Sequence, residues 1–206
     1  MDKITDLPRT GSTGFPEFPE FQGCLEAAGT ASAPALLLRP WEPDDAPALV
    51  APGRDAEVRR WTSMAVDDEA GAAEWIREQR RGWDRGTRFA FAVLEPAERD
   101  GPARLAGHAV LKRTGPGAAS GEVGYWTAPH ARGRGVAPRA LATLTDWAFA
   151  TFAADGLTRL DLLHQAGNAA SCRVAEKGGY ALVGTRPAAP PAYPQEGHVH
   201  VREHRG

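Results

Sequence analysis

Three short strand-like runs in the middle of the chain, separated from one another by turn sequences, restrict the possible folds most strongly. The runs are residues 89–94, 105–111 and 122–127. Residues 96–102 and 115–117 lie between them, and their prolines and glycines are typical of places where a chain reverses. Short strands joined by such turns pair with their neighbours in sequence. The sequence therefore predicts an antiparallel β-meander at the centre of the fold.

Strand and helix patterns alternate along the rest of the chain. A short strand at residues 36–38 is followed by two predicted helices, with Asp44 or Asp45 capping the first and Asp67 the second. After the meander come a long helix from about Gly135 to Ala153 and then strand, helix, strand and strand, at residues 160–163, 168–177, 180–185 and 198–203. This order predicts an α/β chain with a central, mixed, mostly antiparallel sheet flanked by helices.

Length and local composition predict one folded domain behind an N-terminal extension. The chain has 206 residues, which is enough for one domain with its own core. We place that domain at residues 34–206. Residues 1–33 hold turn residues throughout and no sustained apolar period, and we predict a flexible extension there. Its phenylalanines recur every three residues, the period of polyproline II, so they could form a docking strip: Phe15, Phe18 and Phe21.

Charge and cysteine content exclude several classes of function. A net charge of -2 provides no basic field for nucleic acid or an anionic membrane. The two cysteines, Cys24 and Cys172, do not make a disulfide framework, and a reducing compartment is the simpler interpretation. The most apolar stretch, residues 137–154, contains Arg139 and Asp146 and is typical of an amphipathic helix. We therefore predict a cytoplasmic protein with no membrane or nucleic-acid partner.

A segment rich in glycine and arginine joins the meander to the longest predicted helix. It reads Arg132-Gly133-Arg134-Gly135-Val136-Ala137. The first N–H groups of a helix have no partner within it, and glycines let a phosphate approach them closely. Arg132, Arg134 and Arg139 would add positive charge, while Pro138 is harmless in a first turn. The segment predicts a pyrophosphate site, with a solvated basic loop as the alternative. A dinucleotide fingerprint does not fit, because the third glycine is missing.

Together with its neighbours, this segment resembles a known family. Glu122-Val123-Gly124-Tyr125-Trp126 and then residues 129–137 are similar to the GNAT acetyltransferase superfamily, in particular to ribosomal-protein-alanine acetyltransferases of the RimJ/RimL type. The family loop is Gln/Arg-x-x-Gly-x-Gly/Ala, and Arg132, Gly135 and Ala137 fill its fixed positions. A second block at residues 168–180 and the start at Leu38-Arg39-Pro40 match the same branch. The resemblance covers about residues 35–204.

The resemblance implies a fold and a co-substrate. In the superfamily two central parallel strands splay apart, and the pantetheine arm of acyl-CoA enters the gap and pairs with the first strand. Residues 122–127 would be that strand here. Its backbone N–H groups at Tyr125, Trp126 and Thr127 would bind the arm and polarise the thioester carbonyl. The pyrophosphate would lie on the loop, at Arg132, Gly133, Arg134, Gly135, Val136 and Ala137. The implied co-substrate is acetyl-CoA or another acyl-CoA, and no metal is implied.

The resemblance also suggests catalytic residues. Asn168 would cap the helix that follows the next strand and could bond the pantetheine amide. Ser171, one turn further on, could hydrogen-bond the departing thiolate. Many superfamily members have a tyrosine acid seven residues after this asparagine, but this chain has Ala175 there, which gives Ser171 more weight. Glu122 is the candidate base and would relay the amine proton through water, while a purely water-borne route is the alternative.

The histidines are predicted to have other roles. His108 and His164 lie on predicted strands and are expected to be polar core or surface groups. His198, His200 and His204 share one strand face at a period of two, a spacing that could bind metal. Nothing else in the sequence completes such a site, and we predict no metal. For Cys172 we predict a packing role.

Three interpretations of the function remain open from the sequence. In the first, the chain transfers an acyl group from acyl-CoA to a primary amine by direct attack in a ternary complex. The amine would belong to a protein N-terminus or to a small molecule. In the second, the chain is a non-catalytic acyl-CoA-binding regulatory module. In the third, it is a general nucleotide-binding protein, which would require ATP or NAD to outcompete acetyl-CoA. Arg59, Trp61 and residues 187–197 are expected at the acceptor groove, and the protein is expected to be a monomer or a homodimer.

Overall fold

A computed structural model describes residues 23–96, 101–190 and 195–205 of the chain. In this part the strands are β1 (Leu25–Ala27), β2 (Leu36–Pro40), β3 (Arg88–Glu95), β4 (Arg104–Arg113), β5 (Ser120–Thr127), β6 (Arg159–Gln165), β7 (Ala181–Arg186) and β8 (Gly197–Glu203). The helices are α1 (Ala46–Arg54), α2 (Ala56–Trp61), α3 (Glu69–Asp84), α4 (Val136–Phe152) and α5 (Ala169–Lys177).

The strands form one eight-stranded sheet in the order β1-β2-β3-β4-β5-β6-β8-β7. Strands β5 and β6 are parallel, and the other neighbouring pairs are antiparallel. The predicted meander is β3-β4-β5, and α4 forms the crossover between the parallel strands. The structure thus confirms the predicted fold class, a mixed and mostly antiparallel sheet with flanking helices.

The two parallel strands pair along only half of their length. Ser120 to Val123 of β5 lie beside Arg159 to Leu162 of β6, and the pairing ends there. Beyond Val123, β5 continues to pair with β4 as far as Thr127, while β6 continues to pair with β8. In the described part of the chain, the β6-facing edge of β5 therefore has no strand partner from Gly124 onwards. The strands splay as the resemblance implied.

The core fills both faces of the sheet. Side chains alternate along β3, so Phe89, Phe91 and Val93 pack on the α4 side and Ala90 and Ala92 pack on the α1–α3 side. A strand that is apolar on both faces predicts burial on both, and β3 is buried from Phe89 to its end. The helices thus pack against both faces of the central strands, and the candidate active site lies at the ends of these strands.

The structure differs from the sequence predictions at four places. Strand β1 lies within residues 1–33, the predicted extension, yet it pairs with β2, and the Arg139 guanidinium donates to the carbonyls of Ala28 and Pro34 on either side of the adjoining turn. The sequence did not predict α2. Helix α3 is capped by Asp68 and not by Asp67, because Asp68 stands three residues before the N–H that it accepts. Asp45 makes no side-chain cap bond to α1, because its carboxylate accepts from the Arg39 guanidinium and from the backbone N–H of Glu42 instead.

The phenylalanine strip at residues 15–21 lies outside the described residues. The domain boundary at residue 34 and the oligomeric state stay predictions. Across the described residues, no helix is both long and apolar enough to span a bilayer.

Candidate active site

A cleft of ≈ 530 Å³ lies beside the unpaired end of β5. One wall is the end of β5, and the floor is the start of α4 with the glycine-rich loop. The other wall is the first turns of α5, facing α2 across the opening. Most of the residues predicted to bind the co-substrate line this cleft: Tyr125, Trp126, Thr127, Arg132, Gly133, Gly135, Val136, Ala137, Asn168 and Ser171. The structure therefore brings these two sequence blocks, 46 residues apart at Tyr125 and Ser171, into one place.

The glycine-rich loop takes the shape that an anion site needs. Gly133 and Gly135 have φ values of 75° and 72°, in the left-handed region that side chains other than glycine rarely adopt. A Cβ at either position would meet no atom within 4 Å, so the backbone here faces open space. Gly135 is the N-cap of α4 and has no side chain to satisfy the first helical N–H groups. Those groups are oriented for a phosphate.

The loop arginines are engaged within the protein. Arg132 lines the cleft and is paired with Asp55, and this pair holds the pKa of the Asp55 carboxyl below its usual range. Arg134 does not line the cleft, and its guanidinium donates to Glu95 across 2.9 Å. Arg139 points to the β1–β2 connection. A phosphate role for Arg134 thus stays a prediction, while the geometry places Arg132 and the loop backbone nearer the cleft.

Asn168 and Ser171 occupy the first turn of α5. The Oδ1 atom of Asn168 accepts the Ser171 backbone N–H across 3.1 Å, so Asn168 is the predicted helix cap. Asn168 is buried at 9 % exposure and still lines the cleft. Ala175 is fully buried on the same helix, which leaves no polar side chain at the position where the resemblance implies a tyrosine acid for many superfamily members.

The side chain of Tyr125 supplies a hydroxyl to this site. Its phenol donates to Ser171 Oγ across 3.1 Å. Burial raises the pKa of Tyr125 to about 12, with the bond to Ser171 opposing the shift, so the phenol keeps its proton at neutral pH. The sequence analysis assigned only the backbone of Tyr125. Strand alternation indicates the face of the sheet on which Tyr125 lies, but the position of α5 decides that it contacts Ser171.

A second cavity of ≈ 630 Å³ adjoins the cleft. Both are lined by Trp61, Tyr125, Trp126, Asn168 and Ser171, so the two spaces meet at the Tyr125–Ser171 contact. Trp61, Pro187 and Gly197 line it, and their role at the acceptor groove stays a prediction. Arg59 does not line it, because its guanidinium contacts the backbone of Gly53 and Val66. Among the described residues the ionised lining groups are mainly basic, with one carboxylate: Arg60, Arg88, Lys112, Arg186 and Glu122.

Glu122 lies in the second cavity rather than in the cleft. Its carboxylate accepts a hydrogen bond from Lys112 Nζ across 2.5 Å, from the neighbouring strand. The side chain is 38 % exposed, so water reaches it. The geometry is compatible with a base that acts through water, and the sequence did not predict the lysine partner.

A neutral histidine and tryptophans form part of the wall of the second cavity. His108 is 4 % exposed, and its Nδ1 accepts from Trp41 Nε1 across 3.0 Å. Its ring stacks on Trp126, with 5.8 Å between centroids. Burial lowers the pKa of His108 to about 3, so the ring is uncharged at neutral pH. His108 is thus a polar core group, as predicted.

The three histidines that the sequence placed on one strand face do not come together in the structure. His204 lies apart from the others and packs on Phe149. His198 and His200 meet two residues that the sequence had not linked to them, His164 of β6 and Cys172 of α5. Antiparallel pairing of β6 and β8 was the signal that could have joined His164 to His198, since their Cα atoms are partners in the register.

A mixed sheet with a splayed parallel pair, a glycine-rich loop at a helix start and two joined cavities define an acyl-CoA-dependent acyltransferase fold. The family model of the acetyltransferase (GNAT) domain matches residues 35–181. The chain belongs to this family, and it is an acyl-CoA-dependent N-acetyltransferase. Comparison with curated proteins gave no significant match.

Solved structures share the fold at low sequence identity. A Bacillus anthracis GNAT acetyltransferase is 20% identical, with a TM-score of 0.71, covering 88% of this chain and 98% of its own. Mycobacterium smegmatis RimJ, in complex with CoA-disulfide, is 22% identical, with a TM-score of 0.67 and coverage of 88% and 86%. A Salmonella typhimurium acetyltransferase that modifies the N-terminal serine of ribosomal protein L7/L12 is 17% identical, with a TM-score of 0.69 and coverage of 87% and 99%. The resemblance to the RimJ/RimL branch is thus confirmed at the level of the fold.

Proposed function

We propose that the protein transfers an acetyl group, or a similar acyl group, from acyl-CoA directly to a primary amine that has negative charge near it. The observation that carries this proposal is the junction of the two cavities at Tyr125 and Ser171. Two substrates that enter from different sides would meet at that point, and no covalent enzyme intermediate is then required.

The cleft is the proposed place of the co-substrate. The pyrophosphate would lie on the backbone N–H groups from Gly133 to Ala137, and the pantetheine arm would follow the open edge of β5 past Gly124. Backbone N–H groups between Tyr125 and Thr127 would donate to the thioester oxygen as it becomes an oxyanion. The CoA complex of the M. smegmatis relative, which shares the fold, supports acyl-CoA as the molecule bound here.

The reaction forms one C–N bond and breaks one C–S bond. The amine attacks the thioester carbon, and its surplus proton passes to Glu122 through water or to solvent. The CoA thiolate leaves beside Ser171 and takes a proton from its hydroxyl, which Tyr125 replenishes through the 3.1 Å bond. The Tyr125 phenolate then takes a proton back from solvent before the next turnover. Tyr125 is thus the proposed proton source, in place of the tyrosine that other family members have on the helix.

The acceptor is inferred from the charge of the second cavity. Lys112 and Glu122 largely neutralise each other, while Arg60 and Arg88 add positive charge to the walls. An acceptor with carboxylate or phosphate groups near its amine fits such a surface better than a polycation does. A protein N-terminal α-amine followed by acidic residues and an anionic small-molecule amine both meet this requirement.

A CoA-release assay with acetyl-CoA tests the proposal. The amine panel contains peptides that differ only in acidic or basic residues at positions two and three, with the corresponding small amines. We expect release that depends on the amine, favours the acidic members, and gives intersecting double-reciprocal lines. Parallel lines would instead indicate a covalent enzyme intermediate.

Ser171→Ala and Ser120→Ala form a matched pair for this assay. Ser171 lines both cavities, whereas Ser120 lies at the exposed start of β5 and lines neither. We expect CoA release to fall in Ser171→Ala alone, while acetyl-CoA raises the melting temperature of both variants. A thermal shift without release from any amine would count against transferase activity on these acceptors. That result would favour the alternative interpretation, a non-catalytic module that binds acyl-CoA.

A further inference from the structure

Four metal-ligating side chains converge beside the active site on elements that are distant in sequence. His164 is on β6, His198 and His200 are on β8, and Cys172 is on α5. One ligand atom from each lies within 4.8 Å of all the others. Cys172 Sγ is 3.2 Å from His198 Nδ1 and 3.6 Å from His164 Nε2. Ligand atoms on a tetrahedral zinc ion are roughly 3.3–3.8 Å apart, so small side-chain adjustments would close the site.

The sheet register explains why the histidines share one face. His164 and His198 are Cα partners across the β6–β8 pair, and His200 follows two residues later on the same face. The rings of His164 and His200 stack at 5.1 Å between centroids. Cys172 approaches from the first turn of α5, next to Ser171, so the cluster joins three elements.

In two of the histidines, the Nδ1 atom lies within hydrogen-bond distance of a backbone carbonyl oxygen. His164 Nδ1 is 2.9 Å from the Gln165 carbonyl oxygen, and His200 Nδ1 is 3.4 Å from that of Tyr180. With Nδ1 as the donor, each ring keeps its Nε2 lone pair for a metal. This is the arrangement by which proteins fix the tautomer of histidine ligands.

His200 carries a second, independent indication of a ligand. It is 2 % exposed, and its Nε2 has no hydrogen-bond partner among the described residues. A buried nitrogen without a partner is costly, and such a group calls for an occupant.

We propose that His164, Cys172, His198 and His200 form a four-coordinate site for a divalent transition metal of the zinc class. Three imidazoles and one thiolate are ligands that suit zinc and exclude magnesium or calcium. With four protein ligands the metal has no open position, so it ties α5 to β6 and β8. It thereby positions the helix turn that carries Asn168 and Ser171. This revises the sequence prediction that no metal binds.

Metal binding to the full chain, freed of any histidine tag, tests the site. The protein is stripped with a chelator and then titrated with Zn²⁺ and, separately, with Co²⁺. We expect one equivalent of bound Zn²⁺ by elemental analysis and a rise in melting temperature with Zn²⁺. The Co²⁺ form should show the thiolate-to-cobalt charge-transfer absorption and the intense visible bands of tetrahedral geometry.

Matched variants locate the metal. Cys172→Ser should remove the charge-transfer band, and Cys172→Ser and His198→Ala should each weaken Zn²⁺ binding at least about tenfold. Cys24→Ser and His204→Ala change the exposed cysteine and a β8-side histidine outside the cluster, and both should bind as the wild type does. Wild-type protein that takes up no Zn²⁺ and shows no thermal shift would overturn the proposal. A cobalt spectrum that survives Cys172→Ser would overturn it equally. Neither result depends on whether acyl transfer occurs.

Discussion

The phenol of Tyr125 donates to Ser171 Oγ across 3.1 Å and thereby links the end of β5 to the first turn of α5. The contact stands where the two cavities meet. In the proposed reaction, the Ser171 hydroxyl gives its proton to the leaving thiolate. The Tyr125 phenol then replaces that proton through the same hydrogen bond. We therefore expect the two residues to act as a unit.

Removing either hydroxyl should slow the reaction. Tyr125→Phe and Ser171→Ala are each expected to lower kcat about 100-fold, with little change in the KM for acetyl-CoA, since a general acid acts only in the transition state. The double variant should lose little more than either single variant, because residues that act as a unit are not additive. Steady-state kinetics of all three proteins measure this. Fully additive losses would contradict a shared proton path.

The pH profile offers a separate check on Tyr125. Since burial raises the pKa of its phenol to about 12, the acid form persists throughout the usual assay range. We expect no decline of kcat attributable to this group as the pH rises from 7 to about 10. A decline that begins near pH 9, fits a pKa of about 10 and disappears in Tyr125→Phe would instead indicate an ordinary, exposed phenol at this position.

Glu122 and Lys112 permit a test of the proposed base. Glu122→Gln should lower kcat/KM about 10- to 100-fold, because a neutral amide does not accept the amine proton. Lys112→Met is the matched control, since it breaks the same ion pair and leaves the carboxylate in place. If the loss in Glu122→Gln came only from the broken pair, Lys112→Met would reproduce it. Equal rates in Glu122→Gln and the wild type would favour proton transfer to water alone.

Most of the fold could be predicted because its signals are local. The turns around Gly115 and Gly117, the alternation along β3 and the glycine-rich start of α4 each specify their own element. Helix α2 and strand β1 were missed because they are six and three residues long. Such short elements depend on tertiary contacts, for example the Arg139 bonds to the β1–β2 connection.

The site could be predicted only where residues are close in sequence. The loop from Arg132 to Ala137 is one continuous motif, and its backbone geometry follows from its glycines. Contacts between distant elements were not accessible in the same way. The phenol of Tyr125 meets Ser171 only because α5 packs beside the splayed strand, and Cys172 meets His198 for the same reason. Residue spacing fixes neither contact.

An alanine in the glycine-rich loop should leave the protein folded but should weaken its binding of acetyl-CoA. Gly133 and Gly117 have φ values of 75° and 72°, and a Cβ at either would meet no atom within 4 Å. Replacement by alanine should therefore cost a similar amount of stability at both, roughly 1–2 kcal/mol. Only Gly133 lines the cleft. We expect Gly133→Ala to weaken acetyl-CoA binding at least about tenfold, because the Cβ would occupy phosphate space.

Isothermal titration of acetyl-CoA into both variants measures the difference. Gly117→Ala lies in a turn distant from the cleft and should bind as the wild type does, which controls for loss of stability. Equal affinity in Gly133→Ala and Gly117→Ala would place the pyrophosphate away from this loop.

His108 should make the protein sensitive to acid. Burial lowers its pKa from 6.5 to about 3, so the unfolded chain takes up a proton between these values that the folded chain does not. The stability provided by the neutral ring is therefore complete above pH 6.5 and declines as the pH falls towards 3. Between pH 7.5 and 5 this one group should lower the free energy of unfolding by about 2 kcal/mol.

The variant His108→Gln tests this effect, because its amide can still accept a hydrogen bond from Trp41. The loss of about 2 kcal/mol that the histidine causes should be absent from this variant. Urea unfolding at both pH values measures the stability of His108→Gln, of the wild type and of His204→Gln. The last variant is the control, because His204 is exposed. If His108→Gln and the wild type lost equal stability, the ring would take up its proton in the folded protein as it does in the unfolded chain, and the wall of the second cavity would be cationic at pH 5.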